Sequence, residues 1–236
     1  MLQGSAWFKK VCDGNQFSVS ELQIRLLEEY VGALLSWNDK INLISRKDGE
    51  NVWERHILGS IAFLFRLDLR PDTTMVDIGT GGGLPGIPIA ILRPNVDVTL
   101  VDSIQKKIKA VDDIVRQLGI PNTRTLAGRA EELSQMREWK NRFDYVIARA
   151  VAPAVDIVKW TRDFLSTAES GGPTGNNVIP PGSILLLKGG DLSEEMRALE
   201  VKLMPRRMQT YAVDVAGGAW TDLPDKKLLV IDPRKA

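Results

Sequence analysis

The first quarter of the chain carries apolar residues at helical spacing. Ser20 and Gln23 fit a capping box, in which each side chain bonds the backbone N–H of the other residue at a helix start. The apolar positions that follow recur every three to four residues: Leu26, Leu27, Tyr30, Val31, Leu34 and Leu35. After a break at Asp48-Gly49, a second helical pattern includes Val52, His56, Ile61 and Leu64. Residues 1–66 are therefore predicted to form an N-terminal helical extension.

From Met75 onward the pattern changes to short β-branched runs that alternate with helical stretches. The predicted strands are TTMVDIG, VDVTLVD, TRTLAG, FDYVIARA and SILLLKGG, and the predicted helices cover 84–92, 105–118, 131–139 and 154–165. Such alternation is typical of right-handed βαβ units, so residues 67–236 are predicted to form an α/β domain with a parallel sheet between two helical layers. Two further strands, near 207–213 and 227–231, are predicted to pair antiparallel at the end of this sheet.

Composition and charge exclude several classes of protein. The chain has 236 residues, of which 26% are charged, and its net charge of +1 argues against a protein that coats naked nucleic acid. A single cysteine, Cys12, and a single histidine, His56, exclude an internal disulfide and argue against a metal site. Because no apolar run approaches ~20 residues and no signal-peptide pattern is present, a cytoplasmic location is predicted. The segment 169–182, rich in Gly, Pro and Asn, is predicted to be an exposed loop.

The stretch VDIGTGGGLPG is the first candidate functional site. Gly79, Gly81 and Gly83 follow the first predicted strand, where glycine lets the backbone take positive φ and lets a ligand approach closely. Asp102 ends the second predicted strand, and an acid at that position can accept hydrogen bonds from ribose hydroxyls. Asp77 precedes the glycines and is a candidate to orient the turn and to attract a ligand amine. The sequence therefore predicts a nucleotide-like ligand at the carboxyl end of the sheet.

Two ligands compete for this turn. Residues 81–86 fit the G-x-G-x-x-G pattern of a dinucleotide-binding fold, which would predict an NAD-dependent oxidoreductase. However, Leu84, Pro85 and Pro88 crowd the first helical turn, where a pyrophosphate needs free N–H donors. An acid beside the turn favours a cationic ligand, and S-adenosylmethionine combines an adenosine, a sulfonium and an amine. The third interpretation gives the glycines only a structural role in a tight turn.

Several stretches taken together resemble one known family. They are VDIGTGGGLPGIPIAI, VTLVDS-x₂-KK, GRAEEL, VIARAVAP and LLLKGG, preceded by WNDKINLISR and RHILGS. In this order, over roughly residues 20–232, they are similar to the RsmG (GidB) family of bacterial methyltransferases, which modify N7 of a guanine in small-subunit (16S) ribosomal RNA. The chain departs from the family at Gly59, where an acid usually follows RHI-x.

The resemblance implies a class I S-adenosylmethionine-dependent methyltransferase fold, which is Rossmann-like and doubly wound with a mostly parallel seven-stranded sheet. Its implied cofactor contacts come from the glycine turn and from the ends of the following strands. Together with the candidate residues of the turn, the predicted cofactor contacts are Asp77, Gly79, Thr80, Gly81, Gly83, Leu84, Asp102, Ala130, Glu131 and Arg149. The implied partner is 16S ribosomal RNA within the small ribosomal subunit, and the protein is expected to act as a monomer, away from membranes.

The implied reaction needs positioning rather than proton transfer. Guanine N7 carries a free lone pair and attacks a methyl carbon without first losing a proton, so no general base is predicted. Arg149 and Lys188, both at strand ends, are the predicted catalytic residues, because a cation can contact guanine O6 or a phosphate. Substrate contacts are predicted for four basic side chains: Arg55, His56, Lys106 and Lys107. The alternatives are helix packing for the histidine and ordinary solvated surface for the lysines.

Three classes of function stay open from the residues alone. They are a methyltransferase acting on ribosomal RNA, an NAD-dependent oxidoreductase and a non-catalytic RNA-binding assembly factor. The oxidoreductase lacks a recognisable catalytic Tyr-Lys or His arrangement in this sequence. Calorimetry with S-adenosylmethionine and with NAD distinguishes the first two classes, and a methyl-transfer assay distinguishes the first from the third.

Overall fold

A computed structural model describes residues 4–167, 175, 177–216 and 225–235. At its centre lies a seven-stranded sheet made of β1 (Thr73–Ile78), β2 (Val96–Asp102), β3 (Thr123–Ala127), β4 (Tyr145–Arg149), β5 (Ser183–Gly189), β6 (Pro205–Ala212) and β7 (Lys226–Lys235). The strand order is β3-β2-β1-β4-β5-β7-β6, and only β7 runs antiparallel to its neighbours. The predicted mostly parallel seven-stranded sheet and its antiparallel end pair are confirmed.

Helices cover both faces of the sheet. They are α1 (Ser5–Gly14), α2 (Glu21–Asn38), α3 (Gly59–Ile61), α4 (Gly86–Leu92), α5 (Gln105–Leu118), α6 (Ala130–Leu133), α7 (Ala154–Thr161) and α8 (Ser193–Leu203). Short 3₁₀ or π-helical segments occur at Arg46–Asn51, Trp53–Leu58, Ala62–Phe65 and Arg162–Phe164. No helix within the described ranges combines the length and the apolar character that crossing a bilayer requires.

The long helix α2 begins as its sequence predicts. The Ser20 hydroxyl accepts a hydrogen bond from the Gln23 backbone N–H at 3.2 Å, and the Gln23 side-chain oxygen accepts one from the Ser20 N–H at 2.9 Å. This capping box satisfies backbone donors that the first turn of a helix leaves free. The helix then buries Leu27, Tyr30 and Leu34 completely, which fixes the side that it presents to the rest of the molecule.

Several predicted boundaries differ from the observed ones. The helix predicted over 84–92 begins only at Gly86, because the residues before it complete the glycine turn. The helix predicted over 131–139 is the four-residue α6, after which the chain turns and stacks Trp139 on Phe143 with ring centroids 6.2 Å apart. The helix predicted over 154–165 becomes 3₁₀ after Thr161. Half of the predicted loop 169–182, namely residues 169–174 and 176, lies outside the described residues.

The hydrophobic core lies in two clusters, one on each face of the sheet. Alternate residues of β1 point to opposite faces, so Met75 belongs to one cluster and Val76 to the other. The Met75 cluster also contains Phe8 of α1 and Leu27 of α2, together with Leu100 of β2. The N-terminal helices therefore complete one face of the sheet and share its core.

Candidate functional site

The glycine turn after β1 requires residues without side chains. Gly79 has a φ of 67°, and a Cβ at this position would lie 2.6 Å from Val151 Cγ2. At Gly86, where α4 begins, a Cβ would lie 2.3 Å from Leu100 Cδ2 and 2.8 Å from the Asp77 carboxylate. Real Cβ contacts are not this short, so a side chain at either position would clash with the side chains that pack against the turn. Gly83, with a φ of 95°, shapes the same turn without lining the two cavities described below.

Asp77 holds this turn from below. Its carboxylate is fully buried, and one oxygen accepts hydrogen bonds from the Thr80 hydroxyl at 2.6 Å and from the Gly86 N–H at 2.9 Å. Its other oxygen, Oδ1, has no hydrogen-bond partner within the described residues. Burial raises the pKa of Asp77 to about 7, although these two hydrogen bonds and the charge of Arg149 act in the opposite direction. The geometry supports the role predicted for Asp77 in orienting the turn, while contact with a ligand amine stays a prediction.

The N-terminal helix α2 also holds the turn, which the sequence analysis missed. The buried Tyr30 hydroxyl donates a hydrogen bond to the Gly82 carbonyl at 2.9 Å. Tyr30 was assigned only to the apolar stripe of α2, and a stripe residue gives no sequence signal for what its hydroxyl contacts. The helical extension therefore supports the ligand-binding turn directly.

Asp102 closes the other side of the turn, at the end of β2. One carboxylate oxygen accepts from the Gly81 N–H at 3.0 Å and the other from the Ile104 N–H at 2.8 Å. A cavity of about 170 Å³ opens beside it, and Gly79, Ala130 and Glu131 also line this cavity. The structure thus brings together the residues predicted for the ribose and adenine. It adds Trp160, which comes from α7 and was not predicted.

A second, larger cavity of about 640 Å³ lies on the opposite side of Gly79. Predicted residues that line it are Arg55, His56, Gly79, Thr80, Gly81, Leu84, Lys107 and Arg149. Residues that the sequence analysis did not assign to a site also line it: Leu43, Ile44, Asp48, Gly82, Ala150 and Lys226. Five parts of the fold therefore meet here: the segments before residue 66, the glycine turn, α5, the end of β4 and the start of β7.

Arg149 lies in a network with the N-terminal segment. Its guanidinium donates to the Arg55 carbonyl at 3.2 Å and to His56 Nδ1 at 3.0 Å. Because arginine has no acceptor, Nδ1 accepts and the neutral imidazole carries its proton on Nε2. The Asp48 carboxylate lies 2.6 Å from the Arg55 guanidinium and 3.4 Å from His56 Nε2, where the geometry does not form a hydrogen bond.

The ionisation of this network follows from burial and from like charges. His56 is 9% exposed, and burial together with the nearby Arg149 lowers its pKa to about 4 despite the opposing charge of Asp48. Burial also lowers the pKa of Arg149, although an arginine stays charged at any physiological pH. The cavity therefore presents a permanent guanidinium beside a neutral imidazole.

Two of the residues predicted for catalysis or substrate contact lie apart from the larger cavity. Lys188 turns toward α8, where its ammonium contacts a Glu195 carboxylate oxygen at 2.7 Å and the Ala152 carbonyl at 3.0 Å. Lys106 is exposed and lines neither cavity, whereas Lys107 reaches the wall of the larger one. The side-chain geometry thus favours an ion-pairing role for Lys188, and its predicted part in catalysis stays a prediction.

The two cavities fit the parts of S-adenosylmethionine. Gly79 lines both of them, so a ligand can pass over the turn with its adenosine beside Asp102 and its amino-acid end beside Arg149. The unpartnered Asp77 Oδ1 leaves one acceptor under the turn. A sequence model of the GidB family, described as rRNA small subunit methyltransferase G, matches residues 23–223.

The chain belongs to the GidB family. The predicted family, enzyme class and cofactor are confirmed by this match: this GidB protein is a methyltransferase that uses S-adenosylmethionine.

Relatives of this GidB protein carry the same description. It is 42% identical over 168 residues to ribosomal RNA small subunit methyltransferase G of Phocaeicola vulgatus, which covers 71% of this chain and 74% of the relative. It is 37% identical over 209 residues to the protein of that name from Parabacteroides distasonis, which covers 85% and 82%.

Solved structures confirm the fold class. A precorrin-6y C5,15-methyltransferase from Geobacter metallireducens superposes with a TM-score of 0.51 at 16% identity, covering 83% of this chain and 92% of that one. Fibrillarin of Aeropyrum pernix, solved with natively bound S-adenosyl-L-methionine, superposes with a TM-score of 0.50 at 15% identity, covering 72% of both chains. The predicted class I methyltransferase fold is therefore confirmed.

Proposed function

We propose that this protein transfers the methyl group of S-adenosylmethionine to N7 of a specific guanine in 16S ribosomal RNA. Membership of the GidB family supports small-subunit ribosomal RNA as the substrate. The choice of N7 rests on the resemblance of the motifs and on the chemistry of the cavity. We further propose that the protein acts on the small ribosomal subunit as a cytoplasmic monomer.

The observation that carries this proposal is the setting of Arg149 beside the glycine turn. Its guanidinium lines the larger cavity together with Gly79, and among the described residues it bonds only neutral acceptors, the Arg55 carbonyl and His56 Nδ1. A cation that lacks a carboxylate partner is suited to contact an acceptor of the substrate, such as guanine O6. It is also suited to the cofactor's carboxylate end, so Arg149 is proposed for both substrate and cofactor.

The composition of the cavity matches a reaction that needs no base. Bound S-adenosylmethionine supplies an electrophilic methyl group on a sulfonium. Guanine N7 attacks with its own lone pair, so the chain has to position the base and exclude water rather than take up a proton. His56 is committed to Arg149 through Nδ1 and is a positioning residue in this scheme. Arg55 and Lys107, which also line the cavity, and Lys106 beside it are proposed to contact the RNA.

The remaining proposed residues bind the cofactor. Asp102 takes the ribose, and Ala130 and Glu131 take the adenine edge. The turn itself contributes Gly79, Thr80, Gly81, Gly83 and Leu84, with Asp77 beneath it. Lys188 is retained as a secondary candidate for catalysis, because its strand end lies next to that of Arg149.

The proposal is tested by replacing Arg149. The Arg149→Ala variant should lose methyl transfer to undermethylated small subunits by about 100-fold or more, as expected when a charged contact in a buried site is removed. Arg149→Lys should recover part of the rate, since it restores the charge without the planar fork. The matched control is Arg124→Ala, an exposed arginine at the opposite edge of the sheet. Wild-type turnover by the Arg149→Ala variant would remove Arg149 from the proposal.

The substrate and the product are tested separately. Labelled methyl transfer is compared on undermethylated small subunits and on bare 16S RNA, and the modified base is mapped by mass spectrometry. N7-methylguanine at a single position, formed on subunits, supports the proposal. Binding to subunits without any transfer would instead favour the assembly factor.

A further inference from the structure

A small notch opens off the larger cavity at Gly59. It has a volume of about 30 Å³, and Arg55, Arg149 and Lys226 line both the notch and the cavity. Further residues line only the notch: Gly59, Leu187, Lys188, Val213 and Lys227. No residue of the glycine turn takes part in it. The notch therefore lies away from the glycine turn, and it has room for one small group only.

The sheet topology concentrates positive charge in this notch. The carboxyl ends of β4 and β5 meet the amino end of the antiparallel β7, with Lys188 opposite Lys227 in the strand register. The segment Trp53–Leu58 crosses this edge and brings in Arg55. Five basic side chains thus line one notch, and no acidic side chain from the described part of the chain lines it.

Three of these five cations, Arg149, Lys226 and Lys227, have no carboxylate partner within the described residues. Arg55 pairs with Asp48 and Lys188 with Glu195, while Lys227 donates to the Gly190 carbonyl at 2.7 Å. Arg149 bonds neutral acceptors only, and the side-chain ammonium of Lys226 forms neither a hydrogen bond nor an ion pair with the described residues. Lys226 is exposed as a whole, but desolvation and the nearby charge of Arg149 lower the pKa of its ammonium.

Gly59 leaves open a space in which a side chain of the protein itself could pair with Arg149. Its φ of −60° is helical and suits any residue, so the backbone does not require glycine here. A Cβ on Gly59 would lie 3.6 Å from the Glu54 carbonyl and 3.8 Å from the Arg149 guanidinium, which are ordinary contacts. A carboxylate side chain at position 59 would fit and would reach Arg149. This chain has glycine there instead.

We propose that the Gly59 notch binds an oxyanion, namely a phosphate of the RNA beside the methylated base. The positive charges of Arg149 and Lys226, with the space beside Gly59, indicate that the ligand is a small anion. That this anion belongs to RNA rests on the proposed function. A phosphate can enter through the larger cavity, because the same arginines line both spaces. The cofactor's carboxylate has the same chemistry, and the glycine turn that holds the cofactor does not contribute to the notch.

The test exchanges the proposed phosphate for an internal carboxylate. Gly59→Asp places a negative charge beside Arg149, and Gly59→Asn adds the same bulk without the charge. Inorganic phosphate, compared with chloride at equal ionic strength, should raise the melting temperature of the wild type. Phosphate should raise the melting temperature of the Asn variant more than it raises the melting temperature of the Asp variant. Without phosphate, the Asp variant should melt above the Asn variant, because its carboxylate pairs with Arg149.

Binding to RNA gives the second readout, and it does not depend on methyl transfer. The Asp variant should bind undermethylated small subunits about tenfold more weakly than the Asn variant, with a smaller dependence on salt. Equal behaviour of the two variants in both assays would overturn the proposal. A tenfold loss of S-adenosylmethionine affinity with unchanged RNA affinity would also overturn it, and would assign the notch to the cofactor. If the Asp and Asn variants differ as expected but the wild type transfers no methyl group, the result would count against the proposed function alone.

Discussion

Two buried acids at neighbouring strand ends have different tasks because their surroundings differ. Asp77 is completely enclosed and bonds a hydroxyl and one backbone N–H of the turn. Asp102 is 7% exposed, bonds two backbone N–H groups and lines a cavity. Each carboxylate accepts two hydrogen bonds and keeps lone pairs, but Asp102 lines a cavity that a ligand can enter and Asp77 lines neither cavity. Asp102 is therefore suited to ribose hydroxyls, while Asp77 is suited to support of the turn.

Replacing Asp102 tests its proposed role in binding the ribose of the cofactor. Asp102→Asn keeps the size but offers one acceptor where two backbone N–H groups point, so it should weaken S-adenosylmethionine binding at least tenfold. Isothermal calorimetry measures this affinity. Asp97→Asn is the matched control, since Asp97 is an exposed acid on the same strand and should leave the affinity within twofold. Equal affinities of the wild type and the Asp102 variant would contradict the assignment.

Asp77 predicts a pH dependence of stability. Its pKa is raised to about 7 in the fold, so the folded state favours the protonated form. The stability that this provides is complete below the ordinary carboxyl pKa near 4 and is lost as the pH rises through about 7. The unfolding free energy of the wild type minus that of Asp77→Asn, both measured with urea, should therefore fall between pH 4 and 7. The fall is at most about 1.4 kcal/mol for each pH unit, and a difference that stays constant would show that the carboxyl titrates normally.

At the scale of elements, the fold joins a helix of the extension to the ligand-binding turn. Helix α2 buries its apolar stripe against the sheet and places Tyr30 against the Gly82 carbonyl. The end of β4 is joined in the same way, since Arg149 bonds the Trp53–Leu58 segment through Arg55 and His56. Both walls of the larger cavity thus depend on segments that precede the sheet in the chain.

Tyr30→Phe isolates the first of these connections. The change keeps the ring packing and leaves the buried Gly82 carbonyl without its donor, which should cost about 1–3 kcal/mol of unfolding free energy. Because Gly82 lies in the turn, S-adenosylmethionine affinity should fall as well. The control is Tyr211→Phe on β6, a half-buried tyrosine, for which a change within about 0.5 kcal/mol is expected. Urea unfolding and calorimetry measure the two effects, and an unchanged Tyr30 variant would argue against this support.

At the scale of the whole molecule, the division into residues 1–66 and 67–236 remains a prediction about organisation. Phe8 and Leu27 lie in one core cluster with Met75 and Leu100, so the two parts share buried apolar surface. A sheet face that loses this cover would expose a large apolar area, and burial of such area is the main favourable term in folding.

A truncation tests whether the second part folds alone. A protein of residues 67–236 should lack a cooperative unfolding transition and should bind hydrophobic dyes, because one face of its sheet is uncovered. Thermal unfolding followed by near-ultraviolet circular dichroism measures this, with the full chain as the control. A truncated protein that unfolds cooperatively and binds S-adenosylmethionine would instead establish residues 67–236 as an independent domain.

The sequence alone determined the order of strands and helices along the chain. Alternating β-branched runs and helical patterns have periods that follow from backbone geometry, so they could be recognised locally. The glycine turn and Asp102 were equally visible, because close backbone passage and a strand-end acid leave marks in a few adjacent letters. The boundaries of α4, α6 and α7 were predicted less well, because packing rather than periodicity decided where those helices begin and end.

Only the tertiary structure decided what surrounds the site. Tyr30 and Trp160 look like ordinary core positions in the sequence, and Lys226 looks like one charge among many. Lys188 has the right place on its strand, yet its ammonium contacts Glu195 seven residues later. Contacts of this kind join residues that are far apart in the chain, or depend on side-chain direction. They are fixed only when the sheet brings β4, β5 and β7 together under the N-terminal helices.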